Sequence, residues 1–173
     1  MIDREPFDGK SALITGIAGT VGRALARELG KTGLHKIIGL DNNESSLFFA
    51  EQEKSTEFIP VLGDVRDKET LIRACRDVDI LFHLAALKHV PLCETNPLEA
   101  IKTNILGVKN VIDAALVNNV LQVINTSTDK AVNPFNVMGT SKLMGEQLIR
   151  AANLSPSKTK FSSIRFGNVL GSS

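Results

Sequence analysis

Thr15-Gly16-Ile17-Ala18-Gly19-Thr20-Val21-Gly22 follows the short apolar run Ser11-Ala12-Leu13-Ile14 and opens a segment with helical periodicity. The order is strand, glycine turn, helix. In that setting Gly16 permits a tight turn, Gly19 lets the backbone approach a pyrophosphate, and Gly22 lets the helix pack close to the strand. With Ala18, Thr20 and Val21 these residues form a candidate phosphate cradle, because the unpaired N–H groups and the positive end of the helix dipole face an anion there. Glycines at this spacing also mark ordinary turns. The strand before them and the helix after them are what point to a dinucleotide.

Outward from this motif, apolar runs alternate with periodic stretches. Strands are predicted at about Ser11 to Thr15, Lys36 to Leu40, Phe58 to Leu62, Ile80 to Leu84, Gln122 to Thr126 and Phe161 to Arg165. Helices are predicted at about Thr20 to Thr32, Ser45 to Glu53, Lys68 to Arg76, Pro97 to Asn118 and Val137 to Ala152. Continuously apolar strands separated by helices imply a parallel sheet covered on both faces. The expected fold class is therefore α/β, a doubly wound parallel sheet (Rossmann fold) in the order 3-2-1-4-5-6. Residues 1–9 read as a linker, and residues 10–173 as one dinucleotide-binding domain.

Composition agrees with one such domain. A chain of 173 residues with net charge +1 has a real core but no clustered basic face, which argues against general nucleic-acid binding. No apolar run approaches the roughly 18 residues needed to span a bilayer. The N-terminus is too polar for a signal peptide. Cys75 and Cys93 cannot build a disulfide scaffold and read as small apolar residues in a reducing cytoplasm. No Cys/His cluster has metal-ligand spacing, so no metal is expected.

In a doubly wound sheet the ligand lies beyond the carboxyl ends of the strands, so the residues there carry the functional reading. Asp41 ends the second strand, where a carboxylate can accept from the adenosine ribose hydroxyls. Its charge repels a 2′-phosphate, and no arginine occurs in Asp41-Asn42-Asn43-Glu44, so NAD is favoured over NADP. The same carboxylate could instead cap the next helix. After the third strand, Asp64 could accept from the adenine amino group and Val65 could lie on the ring, while Asp67 suits a helix cap. After the fourth, small Ala85 and Ala86 leave room for the dinucleotide, and Lys88 and His89 could face an anionic substrate. His83 reads as a packed, hydrogen-bonded core residue.

Ser127-Thr128-Asp129-Lys130 ends the fifth strand, near where a nicotinamide would sit. A hydroxyl, a carboxylate and an amine together suit acid/base chemistry, and a polar turn is the simpler alternative. Met138 and Lys142 are four apart on a predicted helix and share a face. An amine there could bind the nicotinamide ribose.

Together these stretches resemble the extended short-chain dehydrogenase/reductase superfamily. More closely, they look like its polysaccharide-biosynthesis (CapD-type) branch, which contains UDP-N-acetylglucosamine 4,6-dehydratases. The carriers are the glycine motif, Gly63 through Asp67, His83 through Asn96, Asn104-Ile105-Leu106-Gly107, Ser127 through Lys142, and Arg165 through Gly171. The resemblance implies a cytoplasmic lyase of nucleotide-sugar metabolism. NAD(P) would take hydride from sugar C4 and return it to C6 after water has left across C5–C6. By position, Thr128 would bind the sugar O4, Asp129 would protonate the departing 6-hydroxyl, and Lys130 would be the base at C5. Lys142 would hold the nicotinamide ribose, Asn104 would serve the cofactor site, and Lys88 and Asn168 would contact the UDP-sugar. Homo-oligomers would form through the long helices predicted at 97–118 and 137–152.

Two departures are visible. The superfamily's catalytic tyrosine is replaced by Met138, and the chain contains no tyrosine at all. The family also continues past the point matching Ser173 into a smaller region that grips uridine and sugar, so this chain is expected to represent the cofactor-binding portion. A nucleotide-sugar 4-epimerase, and a dinucleotide-binding module without turnover, are the alternatives.

Overall fold

The computed structural model describes residues 6–52 and 56–169. Among the described residues six strands form one sheet in the order β3-β2-β1-β4-β5-β6. They are β1 (Ser11–Thr15), β2 (Lys36–Asp41), β3 (Glu57–Leu62), β4 (Ile80–His83), β5 (Gln122–Thr128) and β6 (Lys160–Phe166), and every pairing is parallel. The strand order is the one expected from the sequence.

Among the described residues seven α-helices accompany them: α1 (Thr20–Leu29), α2 (Glu44–Gln52), α3 (Lys68–Ala74), α4 (Val90–Thr95), α5 (Pro97–Ala100), α6 (Gly107–Val117) and α7 (Val137–Ala152). Alternation along the strands gives the sheet two apolar faces. Leu13, Leu81 and Val123 join Leu71, Val108, Val111 and Ile149 on the α3, α6 and α7 side. Ala12, Ile14 and Ile37 join Ile17, Leu29 and Leu47 on the α1 and α2 side. β1 lies in the middle of the sheet and is buried at all five positions, which explains its unbroken apolar character. Pro60 sits on the edge strand β3, where its missing N–H costs no ladder bond. β6 forms the opposite edge and buries Phe161 alone. Before β1, residues 6–9 form a turn; Gly9 N–H donates to the Gly33 carbonyl, and Phe7 packs against the α1 and α2 side core.

Local features differ from the sequence reading, among them α1 and α3, which end at Leu29 and Ala74 rather than Thr32 and Arg76. The helix expected over Pro97 to Asn118 is built as α5, a π-helical turn (Ile101–Leu106) and α6. Hydrophobic periodicity runs through all three, so the pattern hides the wider turn. The Gly107 N–H donates to the Lys102 carbonyl, five residues back. The sequence reading left out α4, a short helix that begins next to Pro91 and ends just before Pro97. β5 runs two residues further than expected, to Thr128, and Asp129–Ala131 then makes a 3₁₀ turn. Glu53, the expected end of α2, lies outside the described residues.

Candidate functional site

A cleft of about 880 Å³ opens at the carboxyl ends of the strands and runs from the β1–α1 turn to the end of β6. Its shape begins with the glycines. Gly16 has φ +71°, and a Cβ there would meet Ala85 N at 2.7 Å, so no side chain fits between the β1 turn and the β4 turn. A Cβ on Gly22 would lie 2.4 Å from the Gly16 carbonyl oxygen and 2.7 Å from Ile17 Cα. The close packing at Gly22 is therefore against the turn, not against the strand as the sequence suggested. A Cβ on Gly19 would meet one atom, the Gly16 carbonyl oxygen at 3.3 Å, and otherwise face open space. Gly16, Ala18, Gly19, Thr20, Val21 and Gly22 all line the cleft. Gly19 caps α1 without a side-chain bond, so the first-turn N–H groups point into the cleft mouth.

Asp41, at the end of β2, does not cap the next helix, the alternative considered for it; Asn43 Oδ1 does so by accepting from Ser46 N–H at 2.9 Å. Asp41 lines the cleft, its Oδ2 accepts from Ala18 N–H at 3.0 Å, and its Oδ1 accepts from Asn43 N–H at 3.0 Å. The carboxylate thus ties the glycine turn to the end of β2. Asp64 and Val65 line the cleft after β3. Both Asp64 oxygens are engaged by Arg66, with Nε at 3.0 and 2.9 Å and Nη2 at 2.6 Å, and this guanidinium holds the carboxyl below its usual range. Arg66 continues to Glu99 at 2.8 Å, and Glu99 to Lys102 at 2.8 Å. Arg66 and Glu99 are lining residues that sequence reading missed, because their pairing spans 33 positions of the chain. Asp67 caps α3 through Glu69 and Thr70 N–H, as expected.

After β4, Ala85, Ala86 and Lys88 line the cleft. His89 is exposed, immediately precedes α4, and is not among the lining residues. Asn104 departs from its expected place at the cofactor. It is 1% exposed, lies on the π-helical turn and does not line the cleft. Leu87 N–H donates to its Oδ1 at 2.8 Å, and its Nδ2 donates to the Leu87 carbonyl at 2.9 Å and to Ser141 Oγ at 2.9 Å. With both ends of its amide engaged, Asn104 acts on the cleft by holding the turn that follows Ala85 and Ala86.

The β5 terminus forms the polar corner. Thr128 Oγ1 donates to Asp129 Oδ1 at 2.9 Å, and Lys130 N–H donates to Thr128 Oγ1 at 3.3 Å. Lys130 Nζ reaches Asp129 Oδ1 at 3.2 Å and Asn168 Oδ1 at 3.3 Å. Thr128, Lys130 and Asn168 line the cleft; Asp129 stands just outside it, beside Gly167. The Thr128 hydroxyl, and secondarily the Lys130 ammonium, hold the Asp129 carboxyl low, so it is a carboxylate at neutral pH. Phe166, Gly167 and Val169 complete this end.

Met138 and Lys142 share the inner face of α7, and both line the cleft. Asn136 caps the helix by accepting from Gly139 N–H at 2.7 Å, and Glu94 of α4 accepts from Val137 N–H at 2.6 Å. A Cβ on Gly139 would lie 2.2 Å from the Lys130 carbonyl oxygen, so only glycine lets α7 press against the 129–131 turn. Lys142 is nearly buried and donates from Nζ to the Thr126 carbonyl. Burial pushes its amine down to about 8. Met138, 3% exposed, packs with Cys93 and Ala100 and offers no proton-transfer group. His83 is fully buried and hydrogen-bonded to Thr15 at 2.7 Å, as expected of a core histidine. Both cysteines are buried and unpaired. Among the described residues no group of three His, Cys, Asp or Glu could hold a metal ion, and no helix is long and apolar enough to cross a membrane.

Comparison with known proteins places this geometry. The sequence pattern of a family described as polysaccharide biosynthesis protein matches residues 12–173. The chain is 50% identical over 169 residues to an uncharacterized membrane protein of Methanocaldococcus jannaschii. It is 45% identical over 170 residues to a UDP-N-acetylglucosamine 4,6-dehydratase (inverting) of Campylobacter jejuni, and 42% identical over 177 residues to a UDP-glucose 4-epimerase of Rickettsia bellii. Each alignment covers 96% of this chain and 51% of the relative, so the chain spans about half the length of the curated relatives it matches. Among solved structures, Pen from Bacillus thuringiensis superposes with a TM-score of 0.93 at 38% identity, over 96% of this chain and 54% of that one.

Proposed function

The chain belongs to the polysaccharide biosynthesis protein family, and from that premise we propose that it forms the cofactor-binding portion of a nucleotide-sugar 4,6-dehydratase acting on a UDP-N-acetylglucosamine-like substrate. The observation that carries this reading is the corner at the cleft rim, where Lys130 Nζ lies 3.2 Å from Asp129 Oδ1 and 3.3 Å from Asn168 Oδ1.

A dinucleotide fits the residues present. The space above Gly19 is open, the first turn of α1 offers N–H groups to a pyrophosphate, and Asp41 offers a carboxylate where a ribose would lie. We assign NAD, with NADP disfavoured by the Asp41 charge. Bound NAD would supply the temporary hydride acceptor that makes the C5 proton acidic and lets the reaction close without net redox change. Lys142 would hold the nicotinamide ribose from its fixed place against Thr126.

Thr128 would bind the sugar O4. Lys130 must be neutral to take the C5 proton, and Asp129 must carry a proton to release the 6-hydroxyl as water. One transfer, from Lys130 Nζ to Asp129 Oδ1 across 3.2 Å, creates both forms together. Removing water around the pair favours that neutral arrangement, because desolvation penalises both charges. Asn168 steadies Lys130 from the other side and would meet the substrate diphosphate.

A 4-epimerase is the second reading, favoured by the similarity to the Rickettsia bellii enzyme. Epimerisation needs C4 oxidation but no acid for a leaving hydroxyl, so the Asp129–Lys130 pair would have no task. Incubation with UDP-N-acetylglucosamine and NAD in D₂O separates the readings by mass. A 4-keto product that has lost one water and carries deuterium at C5 supports the dehydratase. A C4 epimer of unchanged mass supports the epimerase, and NAD binding without turnover supports a binding module. Lys130→Ala should abolish the C5 exchange and leave NAD affinity within about threefold; exchange at the normal rate would overturn the assignment of the base.

A further inference from the structure

A row of polar side chains crosses the middle of the sheet. Thr15, His83, Asn125 and Ser163 are lateral neighbours in the β1–β4, β4–β5 and β5–β6 registers. Each lies two residues after a member of the α3, α6 and α7 side core: Leu13, Leu81, Val123 and Phe161. Alternation therefore puts all four on that face. At one end Thr15 Oγ1 and His83 Nδ1 are 2.7 Å apart, and at the other Asn125 Nδ2 donates to Ser163 Oγ at 3.2 Å. Between them, His83 Nε2 and Asn125 Oδ1 make no hydrogen bond to the protein. Ser127 Oγ, the next side chain on the same face of β5, makes none either. It faces the Glu146 carboxylate, which Arg165 chiefly holds low, but not in hydrogen-bonding geometry. His83, Asn125 and Ser127 are 1%, 1% and 3% exposed.

The proton positions follow from the partners. Thr15 is fully buried and its Oγ1 already accepts from Ala85 N–H at 3.4 Å; among the described residues His83 Nδ1 is the acceptor its hydroxyl meets, so Thr15 donates and His83 carries its proton on Nε2. The structure orients the Asn125 amide with Nδ2 on Ser163 and its oxygen turned to the free side. A buried N–H donor, a buried carbonyl acceptor and a hydroxyl thus sit on adjacent strands without protein partners. Native interiors rarely leave such groups unpaired, and a water with about three polar partners is the usual way they are satisfied.

We propose that His83 Nε2, Asn125 Oδ1 and Ser127 Oγ bind one internal water molecule. It accepts from His83, donates to Asn125 and shares a hydrogen bond with Ser127. Thr126 lies between the two β5 residues of this site; its hydroxyl donates to the His83 carbonyl at 3.0 Å and its own carbonyl accepts from Lys142. The water therefore braces the strand segment against which the Lys142 amine is held. This site does not depend on the reaction proposed above.

Room-temperature diffraction from crystals of the protein tests the proposal directly. One solvent peak within hydrogen-bond distance of all three atoms is expected. Nitrogen-15 NMR of His83 should show the neutral Nε2–H tautomer. A dry seam with His83 Nε2 bonded straight to Asn125 Oδ1, or the Nδ1–H tautomer, overturns it. Ser127→Ala should lower the occupancy of the peak and Asn125→Leu should remove it. An undiminished peak in a folded Asn125→Leu protein also overturns it, and the wild-type measurements decide the matter if that variant does not fold.

Discussion

The side-chain amide of Asn104 grips both backbone polar groups of Leu87: Leu87 N–H donates to Asn104 Oδ1 at 2.8 Å, and Asn104 Nδ2 donates back to the Leu87 carbonyl at 2.9 Å. Seventeen residues separate them in the chain. The π-helical turn makes the contact available, and the β4 turn that lines the cleft is fixed by it.

Removing that grip should loosen the cleft without touching its lining. Asn104→Ala leaves the N–H and carbonyl of Leu87, which stands at the open cleft, without that partner, at a cost of about 1–3 kcal/mol each at most. The expected outcome is a lower unfolding midpoint in urea and NAD binding weakened about tenfold or more by calorimetry. Unchanged stability and unchanged affinity together would refute the clamp.

Two glycines of the cradle should respond differently to alanine. In Gly22→Ala the new methyl meets backbone at 2.4 and 2.7 Å, which cannot yield as a side-chain tip can. Loss of stability by more than about 3 kcal/mol is expected, the range of severe overpacking. In Gly19→Ala the methyl faces the open cleft, with a nearest contact of 3.3 Å. Stability should change by less than about 1 kcal/mol, while NAD affinity falls. Circular-dichroism melts beside calorimetry read both effects.

In the proposed reading Asp41 sets cofactor choice by charge, and its bond to Ala18 ties it to the glycine turn. Asp41→Ala should weaken NAD and narrow its advantage over NADP by about tenfold, equivalent to about 1.4 kcal/mol. Equal affinity of the unaltered protein for the two dinucleotides would contradict the assignment.

Lys142 gives a pH signature. Burial lowers its amine from the ordinary 10.5 to about 8 in the folded protein. Between those values the unfolded chain binds the proton and the folded protein does not, so stability rises with pH across the window from about 8 to 10.5. Below pH 8 both states are protonated, and the cost of the buried charge is felt in full, on the order of 3 kcal/mol. Lys142→Met should flatten this slope in urea titrations. Nitrogen-15 NMR of the amine should show a midpoint near 8; a midpoint near 10.5 would mean that the side chain leaves its place against Thr126.

Much of this architecture is written in local sequence. The order of six strands, the doubly wound topology and the cleft at their carboxyl ends follow from short apolar runs, helical periods and the Gly16–Gly22 turn, because each reflects the conformational preference and burial of neighbouring residues. Asn104 was legible as a polar residue within a helical stretch, but the π-helical turn and its bonds to Leu87 and Ser141 were not, since the apolar period passes through that turn unbroken. The same holds for the Arg66–Glu99 link, the Lys130–Asn168 contact and the polar row from Thr15 to Ser163.

The sequence by itself determined which residues stand at the strand ends. Tertiary structure alone decided which of them touch one another, which face the cleft, and which are buried deeply enough to shift their protons. Position along a strand follows from nearest neighbours in the chain, whereas contact, solvent exclusion and charge pairing depend on segments 16 to 68 residues apart being packed together.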